Sequence, residues 1–336
     1  MPRRPCAYAS LCKPGPGPIP SSKRACKVPD RSPFWSVVIP LYNKGPYIEA
    51  TVASVLAQSD PDFEIVVVDD GSTDQGASLV EALPDPRIRL IRQANAGVSA
   101  ARNQGIQASR GEFVAFLDGD DLYHPECLAR LRALHGQFPQ ACVLGGREQR
   151  VAHDDMAGHR FSSLPAQLPC RIVDNLPAEF LRAGLPFSSS SVAVNRHLLA
   201  SLPFAFPPGE SMGEDLDLWF RLAELGPVAL IDAQIAVYRV GIADSLMGSY
   251  RALELLPVWL RLEQRATEMT AASEVRRASL RLVAEMRLTL ARVLVVKGMR
   301  TAAVKLWVSG WRAIVGRRWW FTVLILLSPR LAALIR

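Results

Sequence analysis

Residues 113–121 read Phe-Val-Ala-Phe-Leu-Asp-Gly-Asp-Asp, a short apolar run ending in three carboxylates within four positions. A run of that length and composition predicts a buried strand. Gly119 lets the backbone turn sharply where the run ends. Asp118, Asp120 and Asp121 repel one another unless a cation sits among them. A hard divalent ion held by oxygens, its remaining positions filled by phosphate, answers that need. Open α/β sheets gather ligands at the carboxyl ends of their strands, where these acids stand. Taken alone, the stretch also reads as an acidic turn capping the helix expected to begin near Pro125.

Outward from this stretch the same pattern repeats. Strands are expected at 36–40 (S-V-V-I-P), 63–68 (F-E-I-V-V-V), 87–91, 112–117 and 141–146. Helical spacing occupies 47–58, where Ile48, Val52, Val55 and Leu56 share a face, then 98–108 and 125–138. A further helix follows Asp69-Asp70-Gly71-Ser72-Thr73-Asp74 and runs to about Leu83, with Asp74 as its cap. Strands alternating with such helices are βαβ units, so the fold class is α/β with a mainly parallel central sheet and flanking helices. Several strands are near-continuous apolar runs, as when both faces are covered.

From 147 to 172 a long polar surface loop is expected. Order returns with a helix at 176–183, the segment 186–194 and a helix at 214–225 stopped by Gly226-Pro227. Short strands are read at 228–231 and 235–238, and helix beyond Leu246. The expected divisions are a disordered basic, proline-rich segment (1–33), a catalytic α/β domain (34–245) and a basic helical region (246–336).

Charge follows these divisions. Residues 1–33 carry seven Lys/Arg against Asp30 alone, and 287–336 carry ten basic residues and no acid. With a net charge of +7 overall, the middle is left at about −9, so the pI of about 9.3 belongs to the ends. An acidic body between basic flanks argues against nucleic acid as a partner. An anionic membrane surface suits the tail better. The apolar stretch 319–327 is too short to span a bilayer. With Trp307, Trp311, Trp319, Trp320 and the intervening arginines, it reads either as a helix lying in the membrane interface or as one packed on the body. Of six cysteines none forms a C-x-x-C pair, and Cys127 and Cys142 read as core. Cys6, Cys12 and Cys26 lie in the segment expected to be disordered, which has no apolar h-region. Reduced thiols and a cytoplasmic place, peripheral on the inner face of the plasma membrane, are expected.

The strand ends collect chemistry. Pro40-Leu41-Tyr42-Asn43 follows the first strand, Asp69-Asp70 the second, and the acidic turn the fourth. An aromatic ring, an acceptor for a base N–H and metal-holding carboxylates are the parts of a nucleoside-diphosphate site. No G-x-G-x-x-G follows the first strand and no G-x-x-x-x-G-K-[ST] occurs, so dinucleotide dehydrogenases and P-loop NTPases are disfavoured.

Five motifs in order, S-V-V-I-P-L-Y-N-K, F-E-I-V-V-V-D-D-G-S-T-D, N-A-G-V-S-A-A-R-N, F-L-D-G-D-D and G-E-D-L-D-L-W-F-R-L, resemble those of family 2 glycosyltransferases across about residues 35–240. The resemblance implies the A-type nucleotide-sugar-binding fold. It implies that Pro40 and Tyr42 line the nucleoside pocket and that Asp70, beside Asp69, contacts the base. It places Gly97, Arg102 and Asn103 near the donor's diphosphate and sugar, Arg102 reading equally as a structural partner for an aspartate. Asp118 and Asp120 match the D-x-D motif that binds Mg²⁺ or Mn²⁺ through the donor, with Asp121 adjoining as a further metal ligand.

Asp215 matches the catalytic base, which takes the acceptor hydroxyl's proton as the C1–O bond breaks, with inversion. By itself Glu214-Asp215 would read as acids favoured at a helix N-terminus. Glu214 orients the site in this reading, and Asp217 is exposed. Many relatives place a His shortly after the Tyr-Arg at 238–239; here Gly241-Ile242-Ala243-Asp244 stands instead. The Q-x-x-R-W signature of processive synthases is absent, which implies one sugar per encounter. The implied partners are a nucleoside-diphosphate sugar and a surface-glycan or lipid-linked acceptor. Two other readings stay open: nucleotidyl or phosphoryl transfer at the same carboxylates, and a non-catalytic sugar-nucleotide-binding protein.

Overall fold

Apolar runs placed between helices do become strands covered on both faces. In the computed structural model, which describes residues 32–242, 253–269, 273–314 and 316–327, β1 (Trp35–Leu41) and β2 (Phe63–Asp69) are buried almost throughout. They pair in parallel with each other, β2 pairs in parallel with β3 (Ile88–Arg92), and β1 with β4 (Phe113–Phe116). The crossovers carry α1 (Gly45–Leu56), α2 (Gly76–Glu81) and α3 (Val98–Ala108).

Beyond β4 the chain forms β5 (Leu122–Tyr123), α4 (Cys127–Gln137), β6 (Val143–Ala152), β7 (Cys170–Val173) and α5 (Leu176–Ala183). Then come β8 (Val192–Asn195), α6 (Arg196–Ser201), α7 (Glu214–Leu225) and β9 (Val228–Val240). The sheet order is β3-β2-β1-β4-β8-β6-β9-β5, with β7 on β9. This second half is mixed: β8 runs antiparallel to β4 and β6, while β6 and β9 are parallel.

Two expectations change here. The polar stretch after Gly146 is strand as far as Ala152, and 228–231 and 235–238 are one strand. The cause is long-range pairing: β6 and β9 lie side by side through two register shifts, at Gly146/Arg147 and Arg147/Glu148, and the ladder resumes past the polar residues. The rest of the expected loop holds a 3-10 turn at His153–Gly158 and β7.

Helix α7 buries Leu218, Trp219, Phe220 and Leu222. Trp219 meets Phe116, Phe187 and Phe206 edge-on, with centroids 6.0, 5.8 and 6.4 Å away, and this cluster fixes the start of α7 beside the end of β4. A buried aromatic of this kind contributes about 3–5 kcal/mol. Further on come α8 (Pro257–Glu268), α9 (Glu274–Val296), α10 (Arg300–Ser309) and α11 (Arg317–Leu327). Val258, Trp259 and Leu262 of α8 and Leu282 and Val283 of α9 share one core with α7, β4 and β8. The expected disordered segment, with its cysteines, lies outside the described residues but for its last two. So does the expected boundary at 245/246. Cys127 and Cys142 are buried.

Candidate active site

The turn after β4 passes under the end of β1. A Cβ on Gly119 would stand 2.9 Å from the Pro40 carbonyl oxygen, so glycine is needed for the approach. Thr51 Oγ1 of α1 donates to the Gly119 carbonyl at 3.1 Å. The three acids of the turn then part company. Asp121 turns inward and is fully buried, accepting from Ser190 Oγ (2.6 Å) and the Arg239 backbone N–H (3.0 Å). Burial, with Asp118 and Asp120 nearby, pushes its carboxyl well above the usual range. Asp121, expected as a third metal ligand, has both oxygens engaged by the protein.

Asp118 and Asp120 face the cleft, each held by one cation. Arg102 Nη2 of α3 donates to Asp118 Oδ1 at 2.7 Å, and Lys44 Nζ reaches Asp120 Oδ2 at 2.5 Å. The Asp118 amide donates to Ser190 Oγ, and Arg239 Nε to the Asp120 carbonyl. Among the described residues no hydrogen bond reaches the second oxygen of either carboxylate. Two hard oxygens with free lone pairs fit Mg²⁺ or Mn²⁺. Among the described residues no group of three or more His, Cys, Asp or Glu converges on a metal position.

Arg102 also joins the turn to α7: its Nη1 donates to Glu214 Oε1 at 2.8 Å, and its guanidinium lies 5.1 Å from the Phe206 ring centre. Burial opposes its charge, but Asp118 and Glu214 outweigh burial and raise its pKa further. Arg102 Nε has no partner among the described residues. Asp215, next along α7, accepts from the Leu216 N–H at 2.7 Å and from Ser189 Oγ at 3.3 Å. Its carboxyl is raised, chiefly by burial, with Arg102 opposing. Glu214 is raised too, first by burial. Asp217, expected to be exposed, is fully buried; Arg221 (2.9 Å), Arg261 (3.0 Å) and Arg265 (3.3 Å) surround it.

One strand over, Tyr42 stands 48% exposed at the end of β1, next to Pro40. Asn43 ties this end to the neighbouring loop, accepting from Thr73 N–H (2.9 Å) and donating to Ser72 Oγ (3.1 Å). Asp69 accepts from Ser72 N–H at 3.0 Å. Asp74 accepts from Gly76 N–H at the start of α2 and also from Gly45 N–H of α1. Asp70 accepts from Gln93 Nε2 (2.7 Å), Ala96 N–H (2.9 Å) and Gly97 N–H (2.8 Å), bracing the loop before α3. Gly97 caps α3 at φ +90°, a conformation side chains resist. Asn103 exchanges two hydrogen bonds with the Phe206 backbone, so its side chain holds a loop rather than facing the cleft.

Lys44, Ser189, Ser190 and Arg239 join the site without having been singled out in the sequence. Lys44 and Arg239 had one signal: each lies within a matched segment or just after a strand end, and a cluster of acids needs cations. The serines had none beyond a run of four at 188–191.

Comparison with known proteins supplies the wider frame. The model of the family described as Glycosyl transferase family 2 matches residues 36–173. An uncharacterized glycosyltransferase of Nostoc sp., alr2836, is 30% identical over 65% of this chain and 68% of its own length. The succinoglycan biosynthesis protein ExoO of Rhizobium meliloti is 45% identical over 30% of each chain. The chain spans under a third of the length of several curated relatives it matches. Staphylococcus aureus TarS, solved in complex with UDP-GlcNAc, shares the fold with a TM-score of 0.60 and 21% identity, covering 82% of this chain and 83% of TarS.

Proposed function

This chain belongs to glycosyltransferase family 2, and we propose that it is an inverting, metal-dependent enzyme moving one sugar at a time from a nucleoside-diphosphate donor to an acceptor hydroxyl. One observation carries the reading: Arg102 holds Asp118 at 2.7 Å and Glu214 at 2.8 Å, uniting the acidic turn after β4 with the acids that start α7. The donor's diphosphate lies against Asp118, Asp120 and Arg102, and the acceptor approaches Asp215.

A sugar hydroxyl is a weak nucleophile, so a base must take its proton as it attacks. Asp215 suits that task because burial raises its proton affinity while Ser189 and the Leu216 amide fix its direction. The acceptor oxygen bonds to C1 as the C1–O bond to phosphate breaks. The proton passes to Asp215, and the nucleoside diphosphate departs. A Mg²⁺ or Mn²⁺ ion held by Asp118 and Asp120 would supply positive charge to the departing diphosphate. Asp121 positions the turn from inside. Tyr42 offers a ring to the base. Asp70 has three donors for about four lone-pair sites, which leaves room for one base N–H.

The acceptor is read as a surface-glycan or lipid-linked hydroxyl, a reading supported by the relative in succinoglycan biosynthesis. UDP-GlcNAc, the ligand of TarS, is the first donor to try. With a competent donor and acceptor, Asp215→Asn is expected to abolish nucleoside-diphosphate release while donor-induced thermal stabilisation persists. Turnover retained in the variant would remove Asp215 as the base, and pyrophosphate as product would replace sugar transfer with nucleotidyl transfer.

A further inference from the structure

Helix α11 is apolar on opposite sides. Thr322 and Ile325 are fully buried, and Trp319 packs on the cluster of Ala284, Leu288 and Ala313. The other side shows Trp320 (57% exposed), Phe321, Leu324 (54%) and Leu327 (78%), at helical spacing. A helix packed on a globular body normally turns polar residues outward. The anomaly extends beyond α11. Of the sixteen large apolar side chains exposed among the described residues, eleven lie between Val293 and Leu327.

Charge narrows what could cover them. After Glu285 the sequence has no acid, and Lys297, Arg300, Lys305, Arg317 and Arg318 are exposed among these apolar groups. Arg317 and Arg318 join Trp320, Phe321 and Leu324 around a shallow groove of about 480 Å³. Among the described residues no helix is long and apolar enough to cross a membrane. Apolar side chains rimmed by positive charge, of which Arg318 alone among the five has an acid nearby among the described residues (Glu285, 3.8 Å), with tryptophans at the boundary, match a bilayer's acyl edge and its anionic headgroups. A protein partner would need an apolar surface of its own ringed by acids; the acid-free composition asks only for a field of negative charge.

We propose that the exposed side chains of residues 293–314 and 316–327 form a docking surface for an anionic lipid bilayer, with Trp320, Phe321, Leu324 and Leu327 entering the headgroup boundary and Arg317 and Arg318 meeting lipid phosphates. The surface stands independently of the sugar-transfer reading. Its test is flotation of the full chain with vesicles of phosphatidylcholine alone or mixed with phosphatidylglycerol. The wild type is expected to float with the mixed vesicles, less so as salt rises, and not with phosphatidylcholine alone. Trp320→Glu with Leu324→Glu is expected to end flotation. Arg317→Gln with Arg318→Gln, of which only Arg318 reaches the packed side, through Glu285 at 3.8 Å, is expected to weaken it roughly 30-fold, at about 1 kcal/mol for each charge.

Flotation unchanged in both variants overturns the proposal, as does a wild type that stays with the bulk solution. A self-association seen by sedimentation, dissolved by the glutamate pair and unaccompanied by vesicle binding, replaces the bilayer with a second copy of the chain. Preserved far-UV circular dichroism in each variant separates loss of docking from loss of fold.

Discussion

A carboxylate taken out of water costs several kcal/mol unless cations or donors meet it, and around the acidic turn each has a specific partner. Arg102 serves Asp118 and Glu214, Lys44 serves Asp120, and Ser190 with the Arg239 amide serves Asp121. Burial, and then the nearby charges of Asp118 and Asp120, raise the proton affinity of Asp121 on folding, and its two neutral donors only partly offset them. Between the ordinary carboxylate value near 3.8 and the raised one, the native state holds more protons than the unfolded chain. Stability contributed by this group is therefore present below that window and lost as pH rises through it. Asp121→Asn removes the titration while keeping the shape. In urea unfolding with chelator present, the variant is expected to gain on the wild type as pH rises from about 4. Parallel stability curves would show that Asp121 does not titrate in this way. That the acids stand at the carboxyl end of a buried strand was legible in the sequence, from an apolar run ending in D-G-D-D. Of their partners only Arg102 was, read as a structural partner for an aspartate and found on Asp118; Arg239 arrives from a strand more than a hundred residues away. Asp217 is buried where its sequence neighbours predict exposure for the same reason: two of its arginines lie 44 and 48 residues on, in α8.

At the scale of elements, strands and helices with strong periodicity appeared where the sequence placed them, from β1 through α4 and again at α5 and α7. What periodicity could not reveal was pairing. β6 and β9 each run past polar residues because each supplies the other's ladder. Pairing of elements also makes α8 part of the site. Arg261 grips Glu210 with both Nη atoms (2.7 and 2.8 Å) and Asp217 with Nε (3.0 Å). The Glu210 carbonyl in turn accepts from Ser99 Oγ of α3 at 2.6 Å. Val258 of α8 sits 3.0 Å from where a Cβ on Gly213 would stand. So α8 sets the loop that leads into Glu214 and Asp215 without touching the reacting groups. Arg261→Ala is expected to lower kcat about tenfold while donor KM changes little, a loss of base placement rather than of donor binding. Arg261→Lys, which keeps one charge but not the fork, is expected to recover part of it. A rise in KM at constant kcat would instead place Arg261 on the donor side.

For the molecule as a whole, the sequence's division into an α/β body and a helical tail describes composition more than mechanics. Described residues from Ser32 onward form one compact unit. Val258, Trp259, Leu262, Leu282 and Val283 sit in the core that also holds Val38, Phe116 and Trp219. Arg265 reaches Glu224 of α7 at 3.0 Å, and Phe180 of α5 meets Trp259 with centroids 6.0 Å apart. Removing the tail to test membrane docking would therefore strip the body of part of its own interior, which is why the surface substitutions on α11 are the cleaner probe. A shared interior has a thermodynamic signature. If α8 and α9 complete the core of the sheet, neither part is stable alone, and unfolding proceeds in one step. Urea titrations followed by tryptophan fluorescence can read the parts separately. A variant keeping only Trp35 and Trp219 reports the body, and one keeping only Trp259, Trp307 and Trp319 reports the helices. Coincident midpoints and slopes, matched by far-UV circular dichroism within each variant, are expected. A helical signal that melts first in both would show a tail folded on a finished body, and would weaken the role given to Arg261 along with it.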